Sequence, residues 1–304
     1  MSGTSKATTS RRAKPKPPLL GRSLSRGTAF RLLARSCLAD IASNRTRAAA
    51  GDGAAIHEMR VAITRLKAAA AFFLRLDDDD HWPEVKKALK TLNRSLGAVR
   101  DIDVAIEALS KRDRHRLGSH SSEMTLRAER ATTHRRLAVM LRTPHFEKRM
   151  TTVLSWVDRG QRSARHRADG DTKPVAPYCK RKVNRWLAKC IRQGRGLAVM
   201  GAGKRHRLRI RIKRLRYMIE ACAPILAETH GKRLRKTTKL VRKLQHRLGQ
   251  IQDTERLRLI VSQLTKLSDA HRHNRSLANL RKREAKLMNE ATDAFHTLGS
   301  ISSL

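Results

Sequence analysis

From residue 28 to residue 298, apolar side chains recur every three or four residues through nearly every long segment. That period gathers one face of an α-helix against a core. Alternation of β-branched residues, which would mark strands, is scarce. The pattern predicts helices near 28–49, 53–76, 83–111, 124–142 and 146–160. A polar stretch with Gly170, Pro174 and Pro177 breaks it, and helices resume near 178–193, 204–228, 232–267 and 272–298. Pro83 and Glu84 give the third helix a sound start, since proline loses no bond in a first turn and the acid suits the positive end of the dipole. The expected fold class is all-α.

The helical pattern contains an internal repeat. His57, Arg60, Thr64, Arg65, Leu66 and Lys67 are matched by His206, Arg209, Lys213, Arg214, Leu215 and Arg216 at an offset of 149 residues. Further on, Leu92, Arg94, Leu96, Gly97 and Asp101 are matched by Leu244, His246, Leu248, Gly249 and Asp253 at an offset of 152. Two such matches in order suggest duplication of one helical unit.

On a helical wheel, Ile56, Met59, Ile63, Leu66, Ala70 and Phe73 form a core stripe, and His57, Arg60, Thr64 and Lys67 form a polar line beside it. In the second copy Leu208, Ile212, Leu215, Ile219 and Cys222 form the stripe, and His206, Arg209, Lys213 and Arg216 the line. Arg65 and Arg214 lie further round and rank lower as ligands. The next long helix of each copy adds flanking cations. Lys86, Lys90 and Arg94 border Val85, Leu89, Leu92, Leu96 and Val99; Lys239, Arg242 and His246 border Val241, Leu244, Leu248 and Ile251. Gly97 and Gly249 suit close packing or a bend, and Asp101 and Asp253 are placed to orient basic neighbours. A line of like charges at helical spacing costs stability. Ordinary solvated cations explain one such line, but explain a matched pair poorly.

Charge sharpens this picture. The 304 residues include 68 Lys or Arg against 26 Asp or Glu, a formal net charge of +42. Self-repulsion of that size points to a polyanionic partner. Aromatic residues are only 3 % of the chain, too few for a stacking platform on single-stranded nucleic acid. Binding to a phosphate backbone alone needs none. Cys37, Cys179, Cys190 and Cys222 form no CxxC pair and read as reduced, structural thiols of an intracellular protein. No apolar run is long enough to span a membrane. His57 and Glu58 are followed by Val61 where the HExxH zinc signature needs its second histidine, and no phosphate-binding GxxxxGK[ST] loop occurs. No carboxylate pair recommends itself for catalysis, and Asp77 to Asp80 read as a helix-ending turn. Neither a metal site nor a cofactor is expected. Residues 1–27, with Pro15, Pro17 and Pro18 among basic residues, read as a disordered basic tail. An organellar transit peptide shares that composition; a flexible tail is the simpler reading.

The motif from His57 to Lys67, the Val99, Arg100, Asp101, Asp103, Val104 element and the second helix from His206 to Glu220 together resemble the CHAD family, the conserved-histidine α-helical domain, over about residues 28–298. The resemblance implies two pseudo-symmetric four-helix bundles around a central basic groove or pore, with a first repeat over 28–160, a linker over 161–177 and a second repeat over 178–298. It also implies binding of inorganic polyphosphate without catalysis, association with polyphosphate granules and granule proteins, and a cytoplasmic location. Carried over by position, His57, Arg60, Lys67, His206, Arg209, Lys213 and Arg216 fall on the ligand-bearing helices. Thr64 departs from the basic residue usual at its place. The ExExK strand of the triphosphate-tunnel domain found in many relatives is absent from the sequence. The competing expectation is a salt-sensitive DNA- or RNA-binding protein, with nucleic acid otherwise a weaker polyanion competitor.

Overall fold

A computed structural model describes residues 18, 20–112, 120–159, 173–264 and 270–301. Among these residues the chain forms nine α-helices: α1 Arg26–Ala49, α2 Gly53–Phe73, α3 Trp82–Arg112, α4 His120–Arg142, α5 Pro144–Arg159, α6 Val175–Gly194, α7 Ala202–Ala221, α8 Ala223–Leu264 and α9 Ala270–Gly299. Short 3-10 turns cover Leu76–Asp78 and Leu197–Val199, and no strand forms among the described residues. The all-α class therefore holds.

Caps and prolines set the helix ends. Ser25 accepts the Thr28 amide at 3.1 Å and opens α1. Asp52 accepts the Ala54 and Ala55 amides at 2.8 and 3.1 Å and opens α2, a cap contributing about 1 kcal/mol. Gly51 makes the tight turn between these helices at φ 94°, a conformation few side chains tolerate. Pro144 occupies the first position of α5, where its missing N–H costs nothing.

Several boundaries differ from the periodic reading. Pro177 does not delay α6, which starts at Val175 and takes the proline into its first turn. The helix expected over 204–228 ends at Ala221, and α8 starts at Ala223 and runs on through Gly231. Pro224 explains the shift: it has no N–H, and in a continuous helix its ring would press on the carbonyl four residues back. α2 stops at Phe73, because Leu74 is extended. The expected tail divides. Residues 1–17 and 19 lie outside the described residues, but Leu20 is buried, Arg22 pairs with Glu228 and α1 already begins at Arg26. Of the expected linker, 161–172 lie outside the described residues, and Val175–Pro177 belong to α6.

Every residue assigned to the four core stripes is buried, from Ile56, Met59 and Ile63 on α2 to Leu244, Leu248 and Ile251 on α8. Each large apolar side chain so buried contributes about 1.5–3 kcal/mol. Helices α1 to α5 pack mainly on one another, as do α6 to α9, and contacts of α2 with α7 and of α1 with α6 join the two sets. An aromatic cluster strengthens the join, with the Phe72 ring edge-on to Tyr178 and Trp186. The Tyr178 hydroxyl also donates to the Phe72 carbonyl. Asp77 to Asp80 do not end α2, which stops at Phe73; they fall in the 3-10 turn Leu76–Asp78 and the residues that lead into α3. Asp79 accepts the Trp156 indole N–H at 2.8 Å and the His81 amide at 3.0 Å, which ties the turn to α5. No helix among the described residues is long and apolar enough to cross a membrane.

Candidate functional site

The seam between α2 and α7 brings the two polar lines together. Burial holds the Arg60 guanidinium below the ordinary arginine range; Asp101 opposes the shift, and Arg100, Arg209 and Arg256 add to it. Burial pushes the Lys213 ammonium down to about 8, helped by Arg209, Arg60 and Arg216. Lys67 is likewise pushed down to about 8 by burial and by Arg214, Lys86 and Lys90. Two lysines so placed mark a half-buried excess of positive charge.

Of the two repeated glycines, Gly97 makes room for an arginine. A β-carbon at Gly97 would overlap the Arg60 guanidinium, so Arg60 crosses α3 only because that position is bare, and its Nη1 lies 3.3 Å from the Asn93 carbonyl oxygen it donates to. In the second copy, a β-carbon at Gly249 would lie 3.8 Å from Arg209 Nε. Close packing is thus found at Gly97, where a ligand candidate from the histidine helix crosses, and Gly249 leaves Arg209 ordinary clearance. Arg209 Nε is buried with no hydrogen-bond partner among the described residues. Such a donor carries a desolvation cost until an acceptor arrives.

Asp101 and Asp253 stand beside this cluster. Asp101 accepts from Arg256 at 3.0 Å, and Asp253 feels the charges of Arg209, Arg256, Arg100 and Arg283. Asp101 thus holds Arg256, Asp253 lies within the field of four arginines, and the cations outnumber the two carboxylates.

The thirteen expected ligands distribute unevenly. Arg60, Arg209, Lys213 and Arg216 meet around the seam, and Lys67 meets Lys86 and Lys90 from α3. Arg216 lies over the Tyr217 ring at 4.7 Å. Arg242 is held by Glu220, to which its Nε and Nη2 donate at 3.0 and 2.9 Å. His57 and His206 are exposed near the starts of their helices, and Arg94, Lys239 and His246 occupy exposed positions on α3 and α8.

The sequence reading missed three cations. Arg214, ranked lower because it lies further round the wheel, sits close enough to Lys67 to depress its ammonium. Arg100 and Arg256 flank Arg60; Arg100 stands in the Arg-Asp-x-Asp-Val element, and Arg256 follows the repeated Asp253 by three residues. Arg65, also ranked lower, lies 3.7 Å from Asp40.

Among the described residues, no three His, Cys, Asp or Glu side chains gather as a metal site. The four cysteines are buried and free. Burial raises the Cys37 and Cys190 thiols to about 12, which leaves them poor nucleophiles.

The seam can hold a string of anionic oxygens: forked donors from arginine, mobile point charges from lysine and a half-buried setting that limits screening. No curated protein matches the chain. The crystal structure of the CHAD domain from the plant Ricinus communis is similar in fold, with a TM-score of 0.74 and 21 % identity, covering 96 % of this chain and 100 % of that one. The CHAD domain family model matches residues 32–262, which takes in both histidine helices and the long helix that follows each, and the chain belongs to that family.

Proposed function

We propose that the protein binds inorganic polyphosphate in the α2–α7 seam and does no chemistry on it. One observation carries the proposal: Arg60, Arg209, Lys213 and Lys67 are half-buried among other cations, and both lysines are pushed down to about 8. Confining like charges is costly. An anion in the seam removes the cost, and a phosphate chain presents oxygens at every unit. Membership of a family linked in general to polyphosphate binding supports the same ligand. Association with polyphosphate granules, and with proteins there, belongs to this proposal.

Nucleic acid is the rival ligand, since any cation array attracts it. The placement of the aromatic rings favours the plainer chain. Phe72, Phe73, Tyr178 and Trp186 pack on each other, as do Phe30, Trp82 and Trp156, so these rings stabilise the core and offer no stacking platform. The test is competition at near-physiological salt among long polyphosphate, duplex DNA and RNA at matched phosphate concentration. Polyphosphate is expected to win clearly, and equal or tighter binding of nucleic acid would sink the proposal.

A further inference from the structure

We propose that the polyanion site is one-sided: of the two repeat-related faces flanking the α2–α7 seam, only that of Lys67, Arg214, Lys86 and Lys90 takes up a condensed-phosphate chain, and the other is sealed by carboxylates of the protein itself. The proposal rests on polyphosphate binding at the seam and adds where on it the chain lies.

The 149-residue offset brings the start of α1 at Arg26 onto that of α6 at Val175, and Gly53 of α2 onto Ala202 of α7. Each group on one face therefore has a counterpart on the other. On the sealed face, Arg65 Nη1 lies 3.7 Å from Asp40 Oδ2. Glu220 Oε1 accepts twice from Arg242, at 3.0 and 2.9 Å, and lies 3.9 Å from Arg216 Nη1. Tyr217 presents its ring to Arg65 and Arg216 at 5.5 and 4.7 Å. The cavity left there, lined by Pro18, Asp40, Arg65, Tyr217 and Glu220 among others, is about 30 Å³. That is room for a water or two and too little for a phosphate chain.

The open face lacks every one of these devices. At the same offset, Asp40 is replaced by Lys189, Tyr217 by Ala68 and Glu220 by Ala71. Among the described residues, no carboxylate pairs with Lys67, Arg214, Lys86 or Lys90, and the charges that act on Lys67 are those of the other three. An incoming phosphate gains these cations outright. On the sealed face it would have to break existing ion pairs and leave Asp40 and Glu220 beside its own negative charge, a built-in repulsion.

Two measurements on the full chain test this. The first is polyphosphate affinity of Lys67→Gln with Arg214→Gln, against Arg65→Gln with Arg242→Gln. The open-face pair is expected to lose at least about tenfold, as two charge-assisted contacts warrant, and the sealed-face pair under about threefold. The second needs no substitution: lysine acylation of the wild-type chain with and without polyphosphate, read residue by residue. Lys67, Lys86 and Lys90 are expected to be protected, and Lys239, one turn before Arg242, to stay reactive. Equal losses from the two pairs, or protection of Lys239 matching that of Lys86, would overturn one-sidedness and leave polyphosphate binding intact. No binding by the wild-type chain would overturn both.

Discussion

Lys67 and Lys213 carry much of the cost of confining positive charge at the α2–α7 seam. Both ammonium groups are pushed from 10.5 to about 8 in the folded protein. Between those values the unfolded chain holds more protons than the folded one, so stability rises with pH from about 8 upward. The rise is clearest below about pH 9, because Cys37 and Cys190, with folded thiols at about 12 against an ordinary 9.0, then ionise first in the unfolded chain and pull stability down. Denaturation between pH 7.5 and 9 should show the rise in the free protein, and Lys67→Met with Lys213→Met should remove most of it, Lys182 being the other lysine that burial holds below the ordinary range. A bound polyanion restores both protons. Binding at pH 8 should therefore take up protons, read by calorimetry in two buffers of different ionisation enthalpy, and affinity should fall as pH climbs past 8. Heats that ignore the buffer would contradict this. Gly97→Ala gives a second residue-scale test. The new methyl group displaces Arg60 and should weaken polyphosphate binding, while helix propensity favours the variant by up to about 1 kcal/mol. Gly249→Ala, with ordinary clearance to Arg209, should leave binding nearly unchanged.

At the scale of helices, Gly194 closes α6 against α9, because a β-carbon there would overlap the Phe295 ring. Gly194→Ala should lower the melting temperature through overpacking worth about 1–3 kcal/mol, with little effect on the binding of polyphosphate by the folded fraction. The stripes from Ile56 to Phe73 and from Val241 to Ile251 were legible in the sequence because burial on one helix face leaves a three-and-four period. Helix ends were less legible. A proline permits a helix in its first turn and breaks one elsewhere, so Pro177 and Pro224 were misjudged until their neighbours were placed. The polar lines were visible too, but the partners of each cation were not. Arg214 meets Lys67, and Arg242 meets Glu220, through packing between helices that no wheel of a single helix contains.

Taken as a whole molecule, the chain carries +42 charges, and any polyanion will approach it. The logarithm of polyphosphate affinity should fall linearly with the logarithm of salt concentration, and each seam cation removed should reduce the slope by about one. Attraction by net charge alone would instead spread the loss evenly over exposed lysines such as Lys180 and Lys232. The most direct measurement is equilibrium titration of long polyphosphate at near-physiological salt into the wild-type chain and into Arg60→Ala with Arg209→Ala and Lys213→Ala, the helical fold of the variant being verified by circular dichroism. These three side chains flank the buried stripes and repel one another, so the variant should fold at least as well as the wild type and lose binding by at least about a hundredfold. A folded variant that binds polyphosphate as tightly as the wild type would place the ligand elsewhere and contradict recognition at the α2–α7 seam.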